Sequence, residues 1–254
     1  MNNLPNLKSN DWLGLIIGNS RLHWAYFQED KLQFSWDNEH LSEPLMTQIL
    51  PQNLLLPNIP NNLPLYIASV VPSQTKLWQN YPKIHILTLD QIPLKNLYLT
   101  MGIDRALALL GAGEIYGFPC LVIDSGTALT LTGVDSDRKL IGGAILPGLK
   151  LQFQALATKT AALPNVNLSE SLPLRWSMNT ADAITSGIMY TILGGIKTFI
   201  DDWLNNYPNS SIILTGGDSQ LLLSYFRQQN YNLSKKLKQD KDIIFLGIYF
   251  SLSD

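Results

Sequence analysis

Leu121-Val-Ile-Asp-Ser-Gly-Thr-Ala-Leu-Thr-Leu-Thr132 is the stretch from which the rest of the chain can be read. Leu121, Val122 and Ile123 form a short apolar run that ends in Asp124; Gly126 and Thr127 turn the chain, and Leu129 to Thr132 alternates apolar and polar residues as a half-buried strand does. The order predicts a β-hairpin whose tip can hold a nucleotide phosphate. A glycine lets backbone come close to the phosphate, and turn amides can donate to its oxygens. Asp124, leaving a buried strand, is placed to hold a cation or a water. An ordinary hairpin with aspartate at its turn accounts for the same residues.

The stretch has a counterpart upstream. Sliding it by 108 residues lays Gly18 on Gly126, Asn19 on Thr127, Ser20 on Ala128 and Lys31-Leu32 on Lys139-Leu140. One hairpin is used twice, which divides the 254 residues into two domains, 12–117 and 118–254. An apolar fraction of 46% supplies a core for each. The net charge of -2 argues against a nucleic-acid or anionic-membrane partner. Lys235-Lys236-Leu237-Lys238 is interleaved with acids and reads as a solvated loop or helix end. Cys120, the single cysteine, excludes an internal disulfide and reads as a small core residue. Residues 1–11 read as a leader without a signal core, and no apolar run reaches the ~18 residues of a membrane span. A cytoplasmic location is expected. His23, His40 and His85 are scattered, so no metalloenzyme ligand set is visible.

Strands are expected at 12–17, 22–27, 32–36, 65–71, 84–89, 212–214 and 243–245, with helices at 41–50, 73–80, 149–160, 179–206 and 219–228. Strands alternating with helices indicate an α/β architecture. Ala106, Leu107, Leu109 and Leu110 have helical spacing, which puts Asp104 and Arg105 at a helix N-terminus. Free amides and the helix dipole there favour a carboxylate and a bound anion, and simple capping would place Asp104 there too. Asn179 or Thr180 should cap the long helix. Its Gly187, Gly194 and Gly195 suggest tight packing, and Tyr190, Leu193, Ile196 and Phe199 an apolar face. Thr215-Gly216-Gly217, between a strand and a helix, can seat adenosine.

Two phosphate hairpins and a late Thr-Gly-Gly turn resemble the actin-like, hexokinase-like, Hsp70-like ATPase fold. Its two ribonuclease-H-like domains, mixed sheets flanked by helices, close over ATP in the cleft between them. Within that fold the chain resembles type III pantothenate kinases. The resemblance is carried by Gly18-Asn19-Ser20, Gly102-Ile103-Asp104-Arg105, Asp124 to Ala128, Gly142 to Gly148, Asn179-Thr180 with Ser186-Gly187, and Thr215-Gly216-Gly217, in the family's order.

The resemblance implies ATP-dependent phosphorylation of pantothenate to 4'-phosphopantothenate, the first step of coenzyme A biosynthesis. It makes Asp104 the general base, and Tyr98, Gly102, Ile103, Arg105 and Thr180 the pantothenate contacts. Ile17, Gly18, Asn19, Ser20, Gly126, Thr127, Gly216 and Gly217 would contact ATP, which brings Mg²⁺. Asp124 would hold a monovalent cation, K⁺ or NH₄⁺, and the chain would form a homodimer through its long helix. One position departs from the pattern: Ile16 stands where the family has aspartate, opposite Asp124 in the internal overlay. Two rival readings stand beside this one. The first is a kinase of the same fold for another small hydroxylated substrate; the second is a non-catalytic nucleotide-binding relative with an accessory role.

Overall fold

The computed structural model describes residues 11–46, 49–56, 59–60 and 62–253. In chain order the elements are β1 (Trp12–Ile17), β2 (Leu22–Gln28), β3 (Lys31–Asn38), β4 (Leu65–Ser69), α1 (Pro72–Thr75), β5 (Ile84–Ile86) and α2 (Ile103–Tyr116). There follow β6 (Cys120–Ser125), β7 (Ala128–Val134), β8 (Leu140–Pro147), α3 (Leu149–Lys159), α4 (Thr180–Asn206), β9 (Ser211–Thr215), α5 (Ser219–Gln229), α6 (Tyr231–Ser234), β10 (Leu237–Gln239) and α7 (Ile243–Leu252). They make two mixed sheets flanked by helices, ordered β3-β2-β1-β4-β5 and β10-β9-β6-β7-β8. Reversing the second list shows the same plan twice: an antiparallel meander, then two parallel strands added beside its first strand.

The described residues pack as two units, one from 11 to Gly111 with 242–253, the other Ala112–Lys241. In the first unit Leu13, Leu15 and Ile17 of β1 point to one face, with Trp24, Leu65, Ile67, Trp78 and Tyr81. Each fully buried Leu or Ile contributes about 1.5–3 kcal/mol. On the other face, a Cβ added at Gly14 would touch Phe245 and Ile248 of α7 at 3.4–3.5 Å. Helices α2 and α7 cross backbone against backbone: a Cβ at Gly111 would collide with the Ile243 carbonyl, and one at Gly247 with that of Leu107. This crossing ties α7 to the first unit, whereas the sequence division at 118 groups it with the second half.

In the second unit Leu121, Ile123, Leu129 and Leu131 pack against Ile188, Met189, Ile192, Leu193, Ile196 and Trp203 of α4. The indole of Trp203 fills the space left by Gly133 and donates to Ser210 Oγ at 2.7 Å. By length and composition α4 could cross a membrane, but half of its most apolar window is buried in this core.

Several local expectations need correction. The described residues of 41–50 form no helix. Pro44 interrupts the run, and the backbone is held from outside it: Leu45 N donates to Leu77 O, Gln74 bonds both backbone groups of Leu41, and Asn80 Nδ2 donates to Leu45 O. Ile243 to Phe245 begins a helix instead of a strand. The strand is β10, where Leu237 is buried and pairs with Ile212 while the lysines face out. Gly187, Gly194 and Gly195 pack against nothing within their unit, for a Cβ on any of them would meet open space. Phe199 is exposed, leaving Leu193 and Ile196 as the buried part of the predicted apolar face.

The internal overlay holds for β1 on β6, slips by two residues from β2 to β7, and holds again where Leu32 of β3 meets Leu140 of β8. Four residues link β1 to β2, but two link β6 to β7. Ser20 therefore lies in a turn, while Ala128 already lies in a strand.

Candidate active site

Three groups of predicted residues can be built up from their elements. The first is the turn after β1. Gly18 N donates to Arg21 O at 3.1 Å, closing a turn that presents Asn19 and Ser20 to solvent, and His40 Nε2 lies 2.8 Å from Gly18 O. The Ile17 side chain is buried in the core and its carbonyl accepts from Val70 N, so it offers a ligand backbone only.

The second group begins α2. A Cβ at Gly102 would collide with Asp104 Oδ1, and that oxygen accepts from Arg105 N at 2.8 Å. Asp104 lies inside the first turn of the helix, so it does not act as its N-cap. Burial raises its pKa above the usual carboxylate value, against the opposing effects of the Arg105 amide and guanidinium. The buried Arg105 donates to Tyr98 Oη at 2.7 Å, and Tyr98 is half exposed. Val70, which follows β4, joins these two groups. Its amide bonds Ile17, and its side chain lies 3.6 Å from where a Gly102 Cβ would stand. Nothing in the sequence marked Val70 as this link.

The third group surrounds the turn after β6. Gly126 N donates to Ala128 O at 3.1 Å, and Gly148 N donates to Thr127 O at 2.9 Å. A Cβ at Gly148 would strike the Gly126 and Thr127 carbonyls. From the other side, Gly216 (φ +87°) has no room for a Cβ against Asp124 Oδ1 and the Ser125 backbone. Asp218 N then donates to Ser125 O at 2.9 Å. Asp124, Gly126, Thr127, Gly216 and Gly217 are thus gathered at one end of the second sheet, with α3 and α5 both starting beside them. Helix starts present free amides suited to phosphate. Thr180 is exposed at the first position of α4, which Asn179 caps by accepting from Asp182 N at 2.9 Å.

The partly exposed Asp124 carboxylate, in a cradle that only glycine at 216 leaves open, fits a single oxygen-coordinated cation. Among the described residues no three His, Cys, Asp or Glu side chains cluster as a transition-metal site would require. Cys120 is buried, with its thiol pushed up to about 12, and serves packing.

A family model for type III pantothenate kinases matches residues 12–202. The type III pantothenate kinase of Nostoc sp. is 47% identical over 257 residues, spanning 94% of this chain and 93% of that protein. That of Synechocystis sp. is 47% identical over 248 residues, spanning 96% and 91%. Among solved structures, a conserved Campylobacter jejuni protein assigned to the Baf family of transcriptional activators superposes with a TM-score of 0.64 at 22% identity, covering 95% of this chain and 97% of that one. Component A of the Acidaminococcus fermentans (R)-2-hydroxyglutaryl-CoA dehydratase gives 0.52 at 10% identity, covering 97% and 100%. At such identities these two attest the fold alone. Sequence identity across nearly the whole chain, joined to the family model, decides the assignment: the chain belongs to the type III pantothenate kinase family.

Proposed function

We propose that this kinase, which phosphorylates pantothenate at the expense of ATP, uses Asp104 as its general base. The observation that carries the reading is a carboxylate in the first turn of α2, raised above its usual pKa by burial and linked through Val70 to the first glycine turn. Asp104 takes the proton of the pantothenate hydroxyl as its oxygen bonds the γ-phosphorus and the bond to the ADP oxygen breaks. Positioning and charge stabilisation supply most of the rate in such transfers, and a placed base adds about 10²–10⁴-fold.

In this reading Gly102, Ile103, Arg105, Tyr98 and Thr180 contact pantothenate. The Arg105–Tyr98 hydrogen bond supports pairing those two. Backbone at Ile17, Gly18, Asn19 and Ser20, with Gly126 and Thr127, binds the phosphates, while Gly216 and Gly217 seat adenosine. Asp124 holds K⁺ or NH₄⁺. When bound, that cation and the Mg²⁺ of ATP offset phosphate charge. Each unit is read as a ribonuclease-H-like domain, a reading supported by the repeated strand order. Homodimer formation through α4 is supported by the open glycine-bearing face, and in this reading the enzyme is cytoplasmic.

The test is ATP-dependent formation of phosphopantothenate by purified protein, with and without K⁺ or NH₄⁺, beside a panel of sugars. Phosphopantothenate formed only with the cation supports the reading. Ile16 in place of an aspartate favours a second one, a non-catalytic relative, which nucleotide binding without turnover would establish.

A further inference from the structure

Across β1, β2 and β3 one row of paired residues runs Ile16, His23, Asp37, beside the first turn. Asp37 uses both carboxylate oxygens. Oδ1 lies 2.7 Å from His23 Nδ1, and Oδ2 accepts from Arg21 NH1 at 2.9 Å. Burial alone would raise Asp37, yet the Arg21 hydrogen bond and the His23 charge hold its pKa below the usual value, so it stays an acceptor. An ionised carboxylate only accepts, so His23 Nδ1 carries a hydrogen, and in the imidazolium form Nε2 is the second N–H donor, left to face an anionic ligand. That edge points at the turn, 3.5 Å from where a Cβ on Gly18 would stand. Arg21 is half exposed, and its hydrogen bond to Asp37 uses one of a guanidinium's five N–H donors. Exposed ion pairs contribute little to stability, so fold stability is a weak reason for ordering three such side chains beside a glycine turn.

We infer that Arg21 and His23, oriented by Asp37, are the first turn's side-chain contacts with the terminal phosphates of the nucleotide. The inference rests on the kinase reading above and adds the groups that recognise the polyphosphate end. Charge-assisted N–H···O contacts to phosphate are strong and directional. They put positive charge at the first turn without a carboxylate at Ile16. Asp37 is a positioning residue: it fixes the imidazole edge and the guanidinium plane and touches no phosphate itself.

The experiment compares full-length wild type with Arg21→Gln, His23→Gln, Asp37→Asn and Asp37→Glu. Calorimetry reads binding of ATP and of adenosine, and steady-state assays read KM for ATP and for pantothenate. Arg21→Gln and His23→Gln should each weaken ATP about tenfold, leaving adenosine affinity and the pantothenate KM unchanged. Asp37→Asn should weaken ATP about threefold, and Asp37→Glu should recover part of that loss. A variant that melts at lower temperature is judged by its ratio of ATP to adenosine affinity, which a general loosening leaves unchanged. ATP affinity within twofold of wild type in both Arg21→Gln and His23→Gln overturns the inference, as does an equal loss for adenosine. Wild type that binds ATP but makes no phosphopantothenate defeats the kinase reading alone, and the affinity ratio still decides the role of Arg21 and His23.

Discussion

The two sheets share one strand order yet arm the same row differently. At the end of β6 the row reads Asp124, Thr130, Ile145, with the carboxylate on the first strand and an exposed apolar side chain on the edge. At the end of β1 it reads Ile16, His23, Asp37, with the apolar side chain first and the carboxylate on the edge. The turn differs too. Two residues link β6 to β7, whereas the four between β1 and β2 make room for Arg21. On the roles proposed above, a repeated fold carries a cation site in one copy and cationic side chains in the other. Strand pairing fixes where a side chain stands and leaves its chemical type open.

The largest effect expected on this comparison comes from outside both rows. Asp104→Asn should lower kcat by about 10²–10⁴-fold with ATP affinity intact, measured by phosphopantothenate formation and calorimetry. Because burial raises the Asp104 pKa, the folded state holds its proton more tightly than the unfolded chain does. Stability therefore falls as pH rises through the folded pKa, and above it the asparagine variant should melt no lower than wild type.

Next comes Gly216→Ala, which forces a side chain into a left-handed backbone against Asp124. It should raise the KM for ATP about tenfold and lower Tm by about 5 °C. An unchanged KM would separate the Gly216 turn from the nucleotide. Asp124→Asn should abolish the rate response to K⁺ or NH₄⁺, seen as loss of a several-fold activation in cation titrations. Smallest in activity is Ile16→Asp, which copies the second row into the first. Ile16 is 3% exposed, so a carboxylate there should cost about 3 kcal/mol or more of stability and leave turnover within twofold. A gain in turnover would show that the first turn lacks something Arg21 and His23 do not supply.

The repeated hairpin was legible because Gly18 and Gly126 follow apolar runs with the same spacing, and local pattern determines such turns. The Asp104 helix start was legible for the same reason. The link through Val70 was not, since it depends on where β4 ends relative to α2. The Asp37 cluster was hidden because β2–β3 register, unlike helical spacing, cannot be counted along the chain; a one-residue slip sends every side chain to the other face. The helix expected at 41–50 failed because its backbone partners, Leu77, Gln74 and Asn80, lie some thirty residues further on. Ile243 to Phe245 looked like a strand because a short buried apolar run has no period to tell strand from helix.

The pH dependence of kcat/KM for pantothenate, in wild type and Asp104→Asn, bears most directly on the base assignment. On that assignment the ionised carboxylate is the active form, so the wild-type rate should fall with decreasing pH through a limb above the ordinary value of 3.8, and that limb should vanish in the variant. The same limb in both proteins, or near-normal turnover by the variant, would contradict it.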